Sequence, residues 1–242
     1  KITLPKTDTS ALKDLFQRLS GQKSFAGEMI PLAELATTTI DRSFQEEPLV
    51  LSVDKPVFLK DCSFKGPIIV NSNKSVTVLP SAELEHVQVY APKIVIAKGF
   101  SGALQGYARD SIIIEAGVKL QFPSALGILT NLSRGVIEIQ ANAELNADIF
   151  LVDLMNPYPK NTFVYVHRGA VVHGSLYCHG MVDLKGDVYG QLMAREFFLK
   201  TKASYYENHL FNVEINNSKL SPYYVHAKLY NSLPLRKIMD VD

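Results

Sequence analysis

Three histidines recur at six-residue intervals in the stretch "HRGAVVHGSLYCHG", at His167, His173 and His179. Imidazole binds zinc and transfers protons near neutral pH, so this trio could form a metal site or an acid–base cluster. Both kinds of site require the three rings to converge on one point. Whether they converge depends on the elements that carry them.

Few other side chains offer nucleophilic or metal-binding chemistry in a recognisable pattern. Cys62 and Cys178 are the only cysteines, which excludes a disulfide framework and a zinc site built on paired cysteines. Asp148 and Asp153 flank an apolar run, and they are the first place to look for a catalytic carboxylate pair.

Composition indicates an ordinary folded chain of 242 residues, 47% hydrophobic and 20% charged, which favours one large domain with or without appendages. A formal charge of +1 and the lack of a basic block argue against a nucleic-acid partner. No apolar run is long enough to cross a bilayer. Because the chain starts at Lys1, we expect an upstream segment, such as a signal peptide or a membrane anchor.

One nine-residue template recurs in the middle of the chain. It consists of an aliphatic residue, any residue and a second aliphatic residue, then three corner residues, then a small or aliphatic residue, any residue and a last aliphatic residue. Its spacings are 19, 18, 18, 25, 27 and 18 residues. The seven copies are "VFLKDCSFK" from Val57, "VTVLPSAEL" from Val76, "IVIAKGFSG" from Ile94, "IIIEAGVKL" from Ile112, "IEIQANAEL" from Ile137, "VYVHRGAVV" from Val164 and "VDLKGDVYG" from Val182.

This template predicts an all-β fold, a single-stranded parallel β-helix with coils of about 18 residues. Alternating β-branched residues are typical of strands, and a coil of this length is too short for a strand and a crossover helix. The aliphatic positions should then stack as inward columns. We expect Val76, Ile94, Ile112 and Ile137 in one column, and Val78, Ile96, Ile114 and Ile139 in the next.

The predicted organisation has three parts: an N-terminal cap over residues 1–48, the parallel β-helix over 49–202, and a C-terminal cap over 203–242. The N-terminal part contains a short amphipathic helix in "DTSALKDLFQRLSG", with Gly21 as its stop. The C-terminal part loses the period. Since an open solenoid end presents unpaired strand edges, both segments are expected to cap it.

The predicted fold answers the question about the histidines. Six residues correspond to one face of a three-sided coil, so the three imidazoles should point in diverging directions. Cys62 and Cys178 should lie about 24 Å apart along the axis, too far for a disulfide. We therefore predict no catalytic residues, no metal site and no cofactor.

Polysaccharide-cleaving β-helices usually stack carboxylates on one outward column. Neither of the two outward columns of the template places carboxylates on adjacent coils. The first reads Phe58, Thr77, Val95, Ile113, Glu138, Tyr165, Asp183, and the second reads Phe64, Glu83, Ser101, Lys119, Glu144, Val171, Tyr189. Apolar outward residues instead predict an interaction surface. Its candidates are Phe58, Val95, Ile113, Tyr165 and Tyr189, with Tyr158 on an inserted loop.

The stretch "GAVVHGSLYCHGMVDLKGDVYGQLMAREFFL", best over Gly169–Leu199, resembles the bactofilins, polymer-forming bacterial cytoskeletal proteins. The resemblance implies a right-handed, three-sided β-helix, a non-enzymatic structural role and self-assembly at a membrane. Bactofilin coil ends are typically bare and stack end to end, whereas substantial flanks are predicted here, which argues against filaments.

Hexapeptide-repeat acyltransferases also have coils of 18 residues, in a left-handed helix. Their aliphatic repeat runs through all three faces, and this chain departs from it at Gln88, Gly106 and Ser124. If the chain belonged with them, one of the three spaced histidines would be catalytic and coenzyme A would lie between subunits.

The favoured hypothesis is a non-catalytic structural or interaction protein, a rigid β-helix of the bacterial cell envelope or membrane surface. It would bind a protein partner, or a second copy of itself, through its outer faces, loops or caps. Membrane attachment would come only through the upstream segment. The first alternative is a carbohydrate-binding or carbohydrate-cleaving β-helix, and the second is the acyltransferase.

Overall fold

The structure is a computed structural model, and it describes residues 9–31, 38–156, 159–201 and 204–227 of the chain. The described part contains one α-helix, eighteen strands and a short 3-10 helix at Asn217–Lys219. The α-helix is α1 (Thr9–Leu19), and the strands are β1 (Glu28–Pro31), β2 (Thr39–Asp41), β3 (Leu49–Val53), β4 (Val57–Leu59), β5 (Ser63–Lys65), β6 (Ile68–Ser72), β7 (Ser75–Val78), β8 (Glu83–Glu85), β9 (Val87–Ile96), β10 (Ser101–Gly102), β11 (Leu104–Ile114), β12 (Lys119–Thr130), β13 (Arg134–Ile139), β14 (Glu144–Asp153), β15 (Asn161–Val166), β16 (Val171–Leu184), β17 (Asp187–Lys200) and β18 (Tyr205–Glu207).

The strands wind into a parallel β-solenoid of about 8 turns, with coils of roughly 19 residues, as the sequence period predicted. Parallel pairing already starts with β1, which lies beside β3, and with β2, which lies beside β5. The first coil therefore includes residues from Glu28 onwards, ahead of residue 49, where the sequence placed the start of the β-helix.

The two predicted inward columns on the first face are confirmed. Val76, Ile94, Ile112 and Ile137 lie in register on successive coils, and so do Val78, Ile96, Ile114 and Ile139. All eight side chains are fully buried. Fully burying one such side chain contributes about 1.5–3 kcal/mol, so each column stabilises the stack repeatedly along its axis.

A third column of the core lies on the face that the sequence template did not cover. It consists of Leu51, Val70, Val89, Gly106, Leu126, Ile149, Leu176 and Leu192, paired coil by coil. The three faces thus enclose one continuous apolar core.

Corner length changes which side chains of the second face point outward. The coil of the first template copy has a corner one residue shorter, so Phe64 pairs with Leu84 and is buried, whereas the sequence placed it outward. A slip of one residue reverses every side chain of a strand. In the last coil the corner is two residues shorter, so Tyr189 stays outward but lies beside His173 and not beside Val171.

The extra residues in the 25-residue spacing from Ile112 to Ile137 lie in a longer strand as well as in a longer connection. Most of the stretch "FPSALGILTNL", which contains the extra residues, belongs to β12, where residues 124–130 are buried. The register of β12 against β14 shifts between Leu120 and Ser124, and the bend at residues 131–133 follows. A solenoid coil can absorb extra residues in both places because its neighbours constrain only the paired positions.

Helix α1 lies along the outside of the third face. The strands of that face carry an outward aromatic column, Tyr90, Tyr107, Phe150 and Tyr177, with Gly127 in register between Tyr107 and Phe150. A Cβ on Gly127 would lie 2.0 Å from Cζ of Phe150, so the ring occupies the space above the glycine. Leu12, Leu15, Phe16 and Leu19 of α1 pack onto this column. The helix covers a side of the solenoid, whereas a cap at its end was expected.

The C-terminal segment lies on the last coil. Strand β18 pairs with β17 in antiparallel orientation, and Val188 exchanges backbone hydrogen bonds with Glu214 and Asn216. These contacts satisfy part of the strand edge that the solenoid leaves open at this end. Within the described ranges, no helix is long and apolar enough to span a membrane.

Neighbouring isoleucines of β11 provide a test of the inward columns. Ile112 is fully buried and Ile113 points outward. We expect Ile112→Ala to lower the free energy of unfolding by about 2–5 kcal/mol, because it leaves a cavity in a column that cannot collapse. Ile113→Ala removes the same atoms from the surface and should cost less than about 1.5 kcal/mol. Chemical denaturation of both variants measures the difference, and equal losses would contradict the assigned register.

Candidate functional site

The three spaced histidines have separate partners. Nε2 of His167 lies 3.1 Å from a carboxylate oxygen of Glu138, and His173 packs its ring edge-to-face on Tyr189, with centroids 5.2 Å apart. His179 contacts neither of these groups. Over the part of the chain that the structure describes, no three histidine, cysteine, aspartate or glutamate side chains are grouped so that they could hold a metal ion.

His179 is the most enclosed of the three. Its Nδ1 lies 3.1 Å from the carbonyl oxygen of Asp153, and its Nε2 lies 3.0 Å from the hydroxyl of Tyr177. A carbonyl only accepts, so Nδ1 carries the proton and Nε2 accepts from the tyrosine. Burial lowers the pKa of His179, which favours this neutral form. Because His179 belongs to β16 and Asp153 to β14, this contact links two strands and gives His179 a structural role.

The two cysteines are free and buried. Cys178 lies in register with Leu151 and Ala194 in the core. Burial raises its pKa to about 12, although the N–H of Gly180 donates to the sulfur and opposes the shift. The side chain is therefore a thiol at neutral pH, and a thiol is a poor nucleophile.

A cluster that the sequence reasoning did not assemble surrounds Asp148, whose side chain is 2% exposed. Its Oδ1 accepts a hydrogen bond of 2.8 Å from the backbone N–H of Ser175, and lies 3.1 Å from Nδ1 of His226. The hydroxyl of Tyr224 donates to the same oxygen over 3.4 Å, and the N–H of Ala227 donates to Oδ2. Burial, followed by the charge of Asp148, raises the pKa of Tyr224 and keeps its hydroxyl protonated.

Strand pairing explains half of this cluster. Because Ile149 pairs with Leu176, Asp148 and Ser175 are neighbours on adjacent coils, 27 residues apart in the chain. That number equals the template spacing between Ile137 and Val164, so the period could have predicted the contact. The other half comes from the segment 221–227, which follows the last template copy and has no period to place it.

The cluster contains serine, histidine and aspartate, but its geometry differs from that of a nucleophilic relay. A relay needs the serine hydroxyl at one ring nitrogen of histidine and the carboxylate at the other. Here Oγ of Ser175 lies 2.9 Å from Nδ1 of His226, the same nitrogen that contacts Asp148. Ser175 is also buried. The arrangement fastens the segment 221–227 to the solenoid.

Asp153, the other carboxylate that the sequence singled out, has a separate role. Its Oδ1 accepts hydrogen bonds of 2.9 and 2.8 Å from the N–H groups of Met155 and Asn156, which shapes the turn that follows β14. Its Oδ2 is buried and has no hydrogen-bond partner among the described residues. The two aspartates thus hold different segments and do not form a pair.

The predicted interaction surface lies on two faces. Phe58, Val95, Ile113 and Tyr165 belong to one outward column of the first face, and Tyr189 lies on the second face under the ammonium of Lys219. Of these five, Phe58 is the most exposed, at 61%. Tyr158 lies outside the described residues.

Tyr165 belongs to an aromatic group, here named the aromatic patch: Phe163, Tyr165, Phe198 and Tyr205. Phe163 and Tyr165 lie on the same face of β15, and their rings stack with centroids 5.8 Å apart. The rings of Phe198 and Tyr205 stack with centroids 5.5 Å apart. Phe198 joins the two pairs edge-to-face. Only Tyr165 was predicted, because Phe163, Phe198 and Tyr205 lie outside the nine-residue template copies.

Exposed apolar side chains concentrate near the C-terminal end of the described chain. Of the thirteen large hydrophobic side chains that are exposed among the described residues, seven lie between residues 205 and 225. These seven are named the C-terminal apolar surface: Tyr205, Tyr206, Leu210, Phe211, Ile215, Tyr223 and Val225.

Comparisons with protein-family models, with curated proteins and with solved structures found no match to the chain.

Replacing Asp148 tests whether its cluster holds the segment 221–227 in place. Asp148→Ala leaves the buried N–H groups of Ser175 and Ala227 without acceptors, so we expect a loss of about 2 kcal/mol or more in unfolding free energy. Backbone amides of residues 221–227 should also exchange faster with solvent. Hydrogen exchange with mass spectrometry measures this effect. Glu83→Ala, at an exposed position, is the control, and unchanged exchange in Asp148→Ala would contradict the assignment.

Proposed function

We propose that the chain is a non-catalytic structural and interaction protein, a rigid β-helix of the bacterial cell envelope or membrane surface that self-associates. The solenoid fold and the resemblance of Gly169–Leu199 to bactofilins support the structural role and the compartment. The observation that carries the interaction role is the C-terminal apolar surface. Exposed apolar area on a folded domain typically marks a contact site, and these seven side chains lie within residues 205–225.

The polar contacts of this region support the proposal because they fix the surface in place. The N–H of Glu214 donates to Asp187 over 2.8 Å, and β18 pairs with the last coil. Asp148 holds the stretch that carries Tyr223 and Val225. A surface that is already ordered loses little conformational entropy on association, so less of its binding energy is offset.

The use of the reactive side chains supports a non-catalytic role. Asp148 accepts from the N–H groups of Ser175 and Ala227 and from the hydroxyl of Tyr224, His179 contacts a carbonyl and a hydroxyl, and the thiol of Cys178 is buried in the core. The contacts of Asp148 with Ala227 and of His179 with Asp153 link separate segments of the chain. The residues best suited to chemistry therefore serve the stability of the fold.

Two copies are expected to associate through their C-terminal apolar surfaces in a two-fold arrangement, the commonest symmetry of homo-oligomers. Sedimentation of the full chain over a wide concentration range should show a monomer–dimer equilibrium. Phe211→Ser combined with Tyr223→Ser should remain monomeric, because polar side chains replace two of the most exposed apolar ones.

The matched control is Phe44→Ser combined with Met155→Ser, which alters apolar residues of similar exposure elsewhere on the chain. This variant should dimerise like the unmodified chain. A chain that stays monomeric at every concentration would overturn the proposal, and so would a control variant that loses dimerisation to the same degree.

The aromatic patch favours carbohydrate binding as a second candidate function. Stacked rings on a strand face offer the flat apolar area on which sugar rings pack, and Tyr205 is half exposed. Titration calorimetry with oligosaccharides should then show heat that Tyr205→Ala abolishes and Tyr223→Ala retains. Absence of heat across neutral and acidic oligosaccharides would exclude this candidate.

A further inference from the structure

A cavity of about 180 Å³ lies between the end of α1 and the corner of the third face. Arg18 and Arg109 are among its lining residues, together with Ser20, Asn71 and Asn73. About 10–15 Å³ of such space holds one water molecule, so the cavity admits a larger group. Two arginines at one cavity favour an anion as the ligand.

The guanidinium of Arg18 is held in position from several sides. Its Nε donates to Oδ2 of Asp14 over 2.8 Å, and its Nη1 donates to the carbonyl oxygen of Ser24 over 3.3 Å. The group also lies 5.5 Å from the ring centroid of Phe25. Lys23 pairs with the same aspartate, which leaves the three side chains with a net positive charge.

Arg109 is the less satisfied of the two. It follows Ala108 at the point where the register between β9 and β11 shifts. Its Nε is buried and has no hydrogen-bond partner among the described residues. Its Nη2 lies 3.9 Å from the carboxylate of Asp110, beyond hydrogen-bond distance. A guanidinium only donates, and an enclosed Nε without a partner is costly. An acceptor in the cavity would bind the terminal nitrogens of Arg109, whose side chain is 35% exposed.

We propose that this cavity binds a single oxyanion group, a carboxylate or a phosphate, between Arg18 and Arg109. Planar guanidinium donors match the oxygens of either group. The carbonyl end of α1 also faces the cavity through Ser20 and disfavours an anion, but this dipole effect is weaker than two charge-assisted hydrogen bonds. The proposal does not depend on self-association.

The position of the site gives the anion a second effect. Arg18 belongs to α1, and Arg109 belongs to β11 of the solenoid. An oxyanion bound to both residues would therefore fasten the helix to the third face. Binding should slow hydrogen exchange in the backbone of α1 as well as release heat.

The experiment titrates the full chain with inorganic phosphate and, separately, with acetate, at constant ionic strength maintained with chloride. Saturable heat and slower exchange of the α1 amides are expected with at least one of the two. Phosphate alone would identify a phosphate group as the ligand, and acetate alone would identify a carboxylate. Arg109→Gln should weaken the affinity about tenfold or more, since it removes charge-assisted donors.

Arg134→Gln is the matched control, because Arg134 also lies 3.9 Å from Asp110 but does not line the cavity. It should bind the anion as the unmodified chain does. Arg109→Lys keeps the charge without the planar donors, and its affinity should fall between those of the unmodified chain and Arg109→Gln. No saturable binding of either anion, or equal weakening by the Arg109→Gln and Arg134→Gln variants, would overturn the proposal.

Discussion

Every feature of this molecule depends on the register of parallel strands between successive coils. A coil of roughly 19 residues buries no core of its own; its inward side chains become buried only when the coils above and below pair with it. The column from Val76 to Ile137 shows the strength of the constraint. The spacing from Ile112 to Ile137 is 25 residues, whereas the two spacings before it are 18, and the paired positions still align. Variation is therefore confined to corners, insertions and outward positions.

This arrangement also determines where the polar and ionisable side chains lie and what they bind. Asp148, next to the core, lies where an added segment docks, and it accepts hydrogen bonds from the backbone of Ser175 and Ala227. Burial without partners is costly, which favours bonds to the chain itself. The Nε of Arg109 and the Oδ2 of Asp153 are exceptions among the described residues.

The sequence predicted the first face well because two physical signals coincided there, alternation within strands and a constant period between coils. It failed where corner length changed. One residue fewer before Phe64 turned that ring into the core, and two fewer before Tyr189 moved it beside another neighbour. The docking of α1 on the aromatic column was not predictable from the template, because Tyr90, Phe150 and Tyr177 lie on the third face, which the template leaves unspecified. His226 lay beyond the last repeat, where no period assigns a neighbour.

The attachment of residues 221–227 to Asp148 has a mechanical meaning. Solenoids fray from their ends, since a terminal coil has a neighbour on one side only. Here β17 pairs with β16, and β16 pairs with β14. The segment that follows β17 returns past both strands, and its His226 contacts Asp148 on β14. Tension applied at the C-terminal side would thus reach the interior of the stack before it could peel away the final coil. The strand bearing Asp148, and not the terminal one, would set the force at which the molecule unwinds.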